Sequence, residues 1–226
     1  MIKRNINEVF PRTMYGTPYT TFNNITPDDT LVFDLGGVLV RHNMPGCIAA
    51  FTNLMGVENM HLVLGLASNG EGVADSLMDE YECGNVSTKQ FVAQILKYCK
   101  SGTTEDDVKK AWITMHGGMM DEEWQIVKSL HSQGFRTFLL SNNNELHWQH
   151  ALSQIDGHIN DYFNDVFLSH LMHCRKPDKK IFETVNAAIG SKSQNTVFID
   201  DIEENRQAAT NAVGWRTLTS VKQLRF

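Results

Sequence analysis

The sequence contains few cysteines and lacks the patterns that bind zinc or build a disulfide framework. Only four cysteines occur among its 226 residues, and no two of them form a Cys-x-x-Cys pair. Wide spacing of this kind is typical of reduced thiols inside a cell. Because the N-terminal segment also lacks the apolar core of a secretory signal, we expect a cytoplasmic protein.

Long apolar runs and an excess of positive charge are missing as well. No run of about 18 apolar residues is present, so the sequence predicts no membrane span and no membrane partner. The net charge is −6, whereas a nucleic-acid-binding surface is usually basic, so we expect no nucleic-acid partner. Hydrophobic residues make up 42% of the chain, which is enough for a core and excludes wholesale disorder.

The chain divides into regions of different hydrophobic periodicity. Short apolar strands alternate with amphipathic helices in residues 30–43 and 119–226, which predicts an α/β core with a Rossmann-like, doubly wound parallel sheet. Residues 44–118 show helical spacing alone, so we expect a separate small helical bundle there. Residues 1–29 show little periodicity, and we expect an N-terminal extension without a chemical role.

Polar side chains follow four of the predicted strands, at the sheet edge where ligands bind in such folds. In chain order they are Asp34, Ser141 with Asn142, Lys176, and Asp200 with Asp201. Clustered carboxylates repel one another unless a cation joins them, and oxygen ligands favour Mg²⁺. A cation and a lysine beside a nucleophilic carboxylate suit phosphoryl transfer through an aspartyl-phosphate.

Each of these residues also fits a simpler explanation when it is taken singly. Asp34 fits a helix cap, Ser141 fits a turn, and Lys176 fits an exposed loop. Two adjacent carboxylates after a buried strand, Asp200 and Asp201, are harder to explain in this way. The joint pattern, in order and on correctly spaced elements, favours the phosphoryl-transfer site.

Four segments resemble the four motifs of the haloacid dehalogenase superfamily. They are FDLGGVLV, LLSNN, CRKPDKKIF and VFIDDIEEN, and the resemblance covers about residues 30–218. Within the superfamily the sequence is most similar to the bacterial α-glucose-1-phosphate phosphatase group and the phosphatase domain of soluble epoxide hydrolase. YECGNVSTKQF resembles the cap segment of those proteins. The resemblance implies that residues 44–118 are an all-helical cap domain inserted after the first strand.

The resemblance also implies a role for each residue of the site. Asp34 would be the nucleophile and a Mg²⁺ ligand, and Gly36 would offer its backbone carbonyl to the same ion. Asp201 would bind Mg²⁺ directly, with Asp200 close by and acting through water. The phosphate-binding groups would be the Ser141 hydroxyl, the Asn142 backbone N–H and the Lys176 ammonium, and Lys176 would also steady the charge of the nucleophile.

The chain departs from the family pattern at Gly36. Most phosphatases of the superfamily carry a second aspartate there, which serves as general acid and base, a contribution of about 10²–10⁴-fold to the rate. His42 is near enough in sequence to replace it, and the alternative is a solvated loop histidine. The dehalogenases of the superfamily carry an aromatic residue at this position, which the present sequence lacks.

Together these features predict a Mg²⁺-dependent phosphatase acting on a small phosphorylated metabolite. We expect a sugar phosphate such as a sugar 1-phosphate, and a monomer or homodimer. The alternative is a catalytically weak family member that binds a phosphorylated ligand as a sensor or partner protein. In the cap, residues 69–71 are expected either to reach the pocket or to form a simple helix-capping turn. Glycines 46, 117 and 118 predict a hinge.

Overall fold

A five-stranded parallel sheet forms the centre of the protein. The computed structural model describes residues 23–59 and 77–225, so the contact predicted for residues 69–71 lies outside the described residues. The strands described are β1 (Asn23–Asn24), β2 (Thr30–Phe33), β3 (Val40–His42), β4 (His116–Met119), β5 (Arg136–Ser141), β6 (Asp165–Leu168), β7 (Thr196–Ile199), β8 (Arg216–Leu218) and β9 (Leu224–Arg225). The sheet has the order β6-β5-β2-β7-β8. The carboxyl end of β2 therefore lies between those of β5 and β7.

Helices cover both faces of this sheet. The helices described are α1 (Met44–Met55), α2 (Leu77–Glu82), α3 (Thr88–Leu96), α4 (Glu105–Ile113), α5 (Asp121–Ser132), α6 (Glu145–Gln154), α7 (Ser169–Met172), α8 (Lys179–Ile189) and α9 (Glu203–Val213). Leu31 and Phe33 of β2 pack with α5 on one face, and Val32 packs with α8 on the other. The predicted doubly wound α/β fold is confirmed. No helix among the described residues is long and apolar enough to cross a membrane.

The helices from α1 to α4 share a hydrophobic core of their own. Its largest members are Phe51, Tyr81, Phe91 and Trp112, and it is separate from the two cores beside the sheet. The start of α3 is fixed by a capping box between Ser87 and Gln90. A separate core is what a cap domain requires, because such a domain must hold its own structure beside the sheet.

Two short strand pairs differ from the sequence-based expectations. The predicted all-helical region ends in β4, which pairs with β3 in antiparallel fashion. Sequence periodicity misses β4 because Gly117 and Gly118 leave it without an alternating side-chain pattern. At the other boundary, β1 pairs with β9, and Ile25 is buried in the core beside the sheet. The last residues of the predicted extension are thus packed on the sheet.

Candidate active site

Asp34 lies at the carboxyl end of β2, in the middle of the sheet edge. Its backbone N–H donates to the Ile199 carbonyl of β7 at 2.8 Å, so the chain still follows the sheet at this residue. The buried carboxylate accepts the Leu35 N–H at Oδ1, at 2.7 Å. Lys176 Nζ lies 2.9 Å from the same oxygen. The carboxylate is thereby held in one orientation at the rim.

The charge of Asp34 is not fully compensated by these contacts. Burial raises the pKa of Asp34 to about 7, Lys176 lowers it and Asp200 raises it. A carboxyl group in this environment needs further positive charge nearby to stay ionised at neutral pH. The site therefore favours an additional cation beside Asp34.

Lys176 is the buried cation of the site, with 1% of its surface exposed. Its Nζ donates to Asp200 Oδ2 at 2.6 Å and pairs with Asp34. Burial by itself lowers the pKa of a lysine, but Asp34 and Asp200 outweigh it and raise the pKa of Lys176 above its ordinary value. Lys176 is therefore a protonated partner of two carboxylates and not an exposed loop lysine.

Asn142 holds the backbone of this lysine through its side chain. Asn142 Nδ2 donates to the Lys176 carbonyl at 2.9 Å, and the Lys176 N–H donates to Asn142 Oδ1 at 2.8 Å. The paired bonds tie the end of β5 to the loop after α7. The resemblance predicted a role for the backbone N–H of Asn142, and the structure adds this role for its side chain.

Ser141 is the buried last residue of β5. Since β5 pairs with β2 with Leu139 beside Phe33, Ser141 lies at the same edge of the sheet as Asp34. Its hydroxyl donates to the Asn142 carbonyl at 3.3 Å. Its phosphate-binding role stays a prediction that this position permits.

Asp200 accepts hydrogen bonds at both of its carboxylate oxygens. Oδ1 accepts from the Ile202 N–H at 2.8 Å and from Asn205 Nδ2 at 3.2 Å. Oδ2 accepts from Lys176 at 2.6 Å and from Asn205 Nδ2 at 3.1 Å. Because protein donors occupy both oxygens, Asp200 is better suited to act on a metal through water than to bind it directly. Its direct contact is with Lys176, which it orients. The sequence motifs imply no role for Asn205, which lies near the start of α9.

The exposed carboxylate of Asp201 lies against the glycine turn that follows β2. A Cβ added at Gly37 would lie 2.2 Å from Asp201 Oδ2, and Gly37 has φ +71°, so glycine is required at this position. Oxygens of Asp34, Asp200 and Asp201 lie within 4.8 Å of one another. A hard divalent cation such as Mg²⁺ fits this donor set.

His42 lies on β3 with its ring against Gly36. A Cβ added at Gly36 would lie 2.5 Å from His42 Cε1 and 2.6 Å from His42 Nε2. The imidazole thus fills the space in which a side chain at position 36 would begin. His42 is exposed, and its contact with Gly36 distinguishes it from a histidine that contacts solvent alone.

Three more histidines lie next to His42. His116 pairs with it across β3 and β4, and its ring centroid is 5.1 Å from that of His147 and 5.3 Å from that of His150. Burial, reinforced by the other three histidines, lowers the pKa of His116 to about 3. Burial likewise lowers the pKa of His147 to about 4. His116 and His147 are therefore neutral at neutral pH. Sequence reasoning missed this group because its members are far apart along the chain.

The structure brings together at one sheet edge the three aspartates and the lysine that the sequence motifs single out. The family model of haloacid dehalogenase-like hydrolases matches residues 29–212, and the chain belongs to this family. The predicted family and the predicted enzyme class, a hydrolase, are confirmed.

Several known proteins resemble the chain over most of its length. D-ribitol-5-phosphate phosphatase of Bacteroides thetaiotaomicron is 27% identical over 188 residues, 77% of this chain and 84% of that protein. The solved structure of a family enzyme from Bacteroides thetaiotaomicron, in complex with magnesium and inorganic phosphate, is 25% identical with a TM-score of 0.71, covering 84% of this chain and 93% of that one. A family hydrolase of Porphyromonas gingivalis is 28% identical with a TM-score of 0.73, covering 85% and 91%.

Proposed function

We propose that the protein is a Mg²⁺-dependent phosphatase that hydrolyses a small phosphomonoester through an aspartyl-phosphate. The observation that carries the proposal is Lys176 Nζ, buried between the carboxylates of Asp34 and Asp200. Such a lysine neutralises a nucleophilic carboxylate and an incoming phosphate at the same time. The named phosphatase relative and the magnesium and phosphate of the similar structure support it.

Asp34 performs the first step in this proposal. Its Oδ1 is held by the Leu35 N–H and Lys176, so we assign the attack on phosphorus to Oδ2. The bond from oxygen to phosphorus forms as the bond from phosphorus to the leaving oxygen breaks. Lys176, the Ser141 hydroxyl and the Asn142 N–H are assigned to the phosphoryl oxygens. Water then attacks the phosphorus and gives a proton to the His42 imidazole, which has passed its own proton to the leaving oxygen. The bond from phosphorus to Asp34 breaks, which releases phosphate and restores the carboxylate.

We assign the metal to Asp34, Asp201 and the Gly36 carbonyl, with Asp200 acting indirectly. Bound Mg²⁺ would offset the negative charge of the phosphoryl group and of Asp34. The raised pKa of Asp34 supports this assignment, because burial and Asp200 leave that carboxyl short of positive charge even beside Lys176.

We assign His42 the role of the acid that protonates the leaving oxygen. An alkoxide leaves more readily when it is protonated as its bond breaks, and the chain lacks an acid at Gly36. The contact of the imidazole with Gly36 supports this assignment, because it brings the ring to the position where most family phosphatases carry the acid.

The substrate proposed is a sugar phosphate, with sugar 1-phosphates and alditol phosphates as the first compounds to test. The alditol class comes from the relative, which acts on D-ribitol 5-phosphate. We propose α1 to α4 as the cap that covers the organic part of the substrate, and we propose a cytoplasmic monomer or homodimer. No disulfide joins the described cysteines, which is compatible with that location.

The missing aspartate at position 36 favours one other function, a weak catalyst that binds a phosphorylated ligand as a sensor or partner protein. Release of p-nitrophenol from p-nitrophenyl phosphate with Mg²⁺, compared between wild type and Asp34→Asn, separates the two. The phosphatase proposal expects release by the wild type only. Equal rates in both proteins would favour the binding function.

A further inference from the structure

The end of α2 lies directly on the loop that carries Lys176. Ser169 Oγ donates to the Glu82 carbonyl at 2.6 Å, and His173 Nδ1 lies 3.1 Å from the Cys83 carbonyl. A Cβ added at Gly84 would lie 2.0 Å from the His170 carbonyl oxygen. These contacts leave no space between the segment after α2 and residues 169–173.

Arg175 joins the two sides through its charge. Its guanidinium pairs with Asp79 of α2 and lies 2.9 Å from Glu82 Oε2. The contact with Glu82 is an ion pair without hydrogen-bond geometry, since Glu82 Oε2 and Arg175 Nε have no hydrogen-bond partner among the described residues. Arg175 directly precedes Lys176, so a cap helix holds the residue next to the catalytic lysine.

The Glu82 carboxyl also acts on the catalytic charges. Its side chain is only 14% exposed. Burial raises the pKa of Glu82, Lys176 lowers it and Asp34 raises it, so the carboxyl lies within electrostatic reach of both. With Arg175 removed, the Glu82 carboxyl would lose the guanidinium beside it while staying within electrostatic reach of Lys176. Glu82 would then compete with Asp34 and Asp200 for Lys176.

We propose that Arg175 is a positioning residue for Lys176. By neutralising Asp79 and Glu82, it keeps the ammonium between Asp34 and Asp200, so that docking of α2 on the loop completes the active site. The inference rests on the proposed phosphatase function. It adds that acidic residues of the cap helix α2, through their pairing with Arg175, affect the position of the catalytic lysine.

The test compares Arg175→Gln, Glu82→Gln and the double variant, with Glu80→Gln as the control on the same helix. Arg175→Gln is expected to lower kcat for p-nitrophenyl phosphate at least about tenfold, with a smaller effect on KM, because an uncompensated buried charge draws Lys176 away. The double variant is expected to regain most of this kcat, since the competing carboxylate is gone. Arg175→Lys is expected to keep most of it, because the charge remains.

A merely structural ion pair predicts a different result. In that case the melting temperature and kcat fall together, and removing Glu82 as well restores neither. That result, or a kcat of Arg175→Gln equal to that of wild type, would overturn the inference and leave the phosphatase proposal intact.

The absence of turnover by wild type would contradict the phosphatase proposal alone. In that case the positioning role of Arg175 is tested by calorimetric measurement of the affinity for inorganic phosphate in the presence of Mg²⁺. We expect Arg175→Gln to bind phosphate more weakly than wild type and the double variant to regain most of the affinity.

Discussion

At the scale of single residues, the site depends on side-chain contacts that no motif specifies. The motif residues Asp34, Lys176 and Asp200 follow from the sequence because each comes at a strand end or in the loop after one. The side-chain amide that clamps the Lys176 backbone and the imidazole against Gly36 do not follow from it. Both are contacts between segments distant in the chain, and their formation depends on the packing of the whole fold.

His42 is expected to matter most for poor leaving groups. His42→Ala is expected to lower kcat/KM for alkyl phosphates by about 10–100-fold and for p-nitrophenyl phosphate much less, because only the alkoxide needs a proton. The measurement is kcat/KM for a series of aryl and alkyl phosphates, with His158→Ala, an exposed turn histidine, as the control. An identical dependence on leaving-group acidity in wild type and His42→Ala would contradict this role.

Gly36→Asp tests the role of His42 by restoring the aspartate that most phosphatases of the family carry at this position. An aspartate at position 36 requires His42 to move, because the added Cβ would lie 2.5 Å from its ring. Because His42 supplies the proton in wild type, the dependence of kcat/KM on leaving-group acidity is expected to be about equally shallow in wild type and in Gly36→Asp, where the aspartate takes over as the acid. A much steeper dependence in wild type would contradict the role of His42. A melting curve for each variant shows that the comparison is made between folded proteins.

The raised pKa of Asp34 has a consequence for stability. The pKa of Asp34 is about 7 in the folded protein and 3.8 in the unfolded chain, so the folded state binds the proton more tightly. The folded protein therefore loses stability as the pH rises from the lower to the higher of these values. In metal-free buffer, the free energy of unfolding of wild type relative to Asp34→Asn is therefore expected to fall between about pH 4 and pH 7. Urea unfolding of both proteins across this range measures it, and a constant difference would contradict it.

At the scale of helices and strands, hydrophobic periodicity predicts the elements of the sheet well. β5 (Arg136–Ser141) and α8 (Lys179–Ile189) both lie in the region where the sequence predicts alternating strands and helices. Each is long and apolar on the side that it buries, so the pattern alone identifies it. β4 and β1 could not be predicted because they are short, and they exist only through their pairing with β3 and β9.

The strand pair β3–β4 lies between the sheet and the helices α1 to α4, and it is expected to act as a hinge. Gly118 in β4 has φ +100°, a conformation that glycine adopts readily, and nothing lies within 4 Å of a Cβ added there. The distance between α3 and α9 can be measured with two spin labels. The labels are attached to ketone-bearing residues introduced at Lys89 of α3 and at Gln207 of α9. The distance is expected to shorten with Mg²⁺ and a phosphate analogue. Identical distributions with and without these ligands would indicate a fixed cap.

At the scale of the whole molecule, the sheet edge concentrates acidic groups that a cation must join. Removal of divalent metal by EDTA is therefore expected to abolish phosphatase activity, and added Mg²⁺ to restore it, because Asp34, Asp200 and Asp201 otherwise repel one another. The family and its fold follow from the sequence, whereas the substrate does not, since the cap contacts that would select it have no recognisable pattern. Full activity in chelator, with metal content measured as nil, would contradict the metal assignment.

The central claim is that Asp34 carries the phosphoryl group during turnover. Wild-type protein mixed with Mg²⁺ and p-nitrophenyl phosphate is quenched in acid after a few milliseconds, digested and analysed by mass spectrometry. The account predicts a phosphoryl adduct on the peptide that contains Asp34, formed at the rate of turnover or faster, and none in Asp34→Asn. Steady turnover without an adduct on this peptide, or an adduct on another residue, would contradict it.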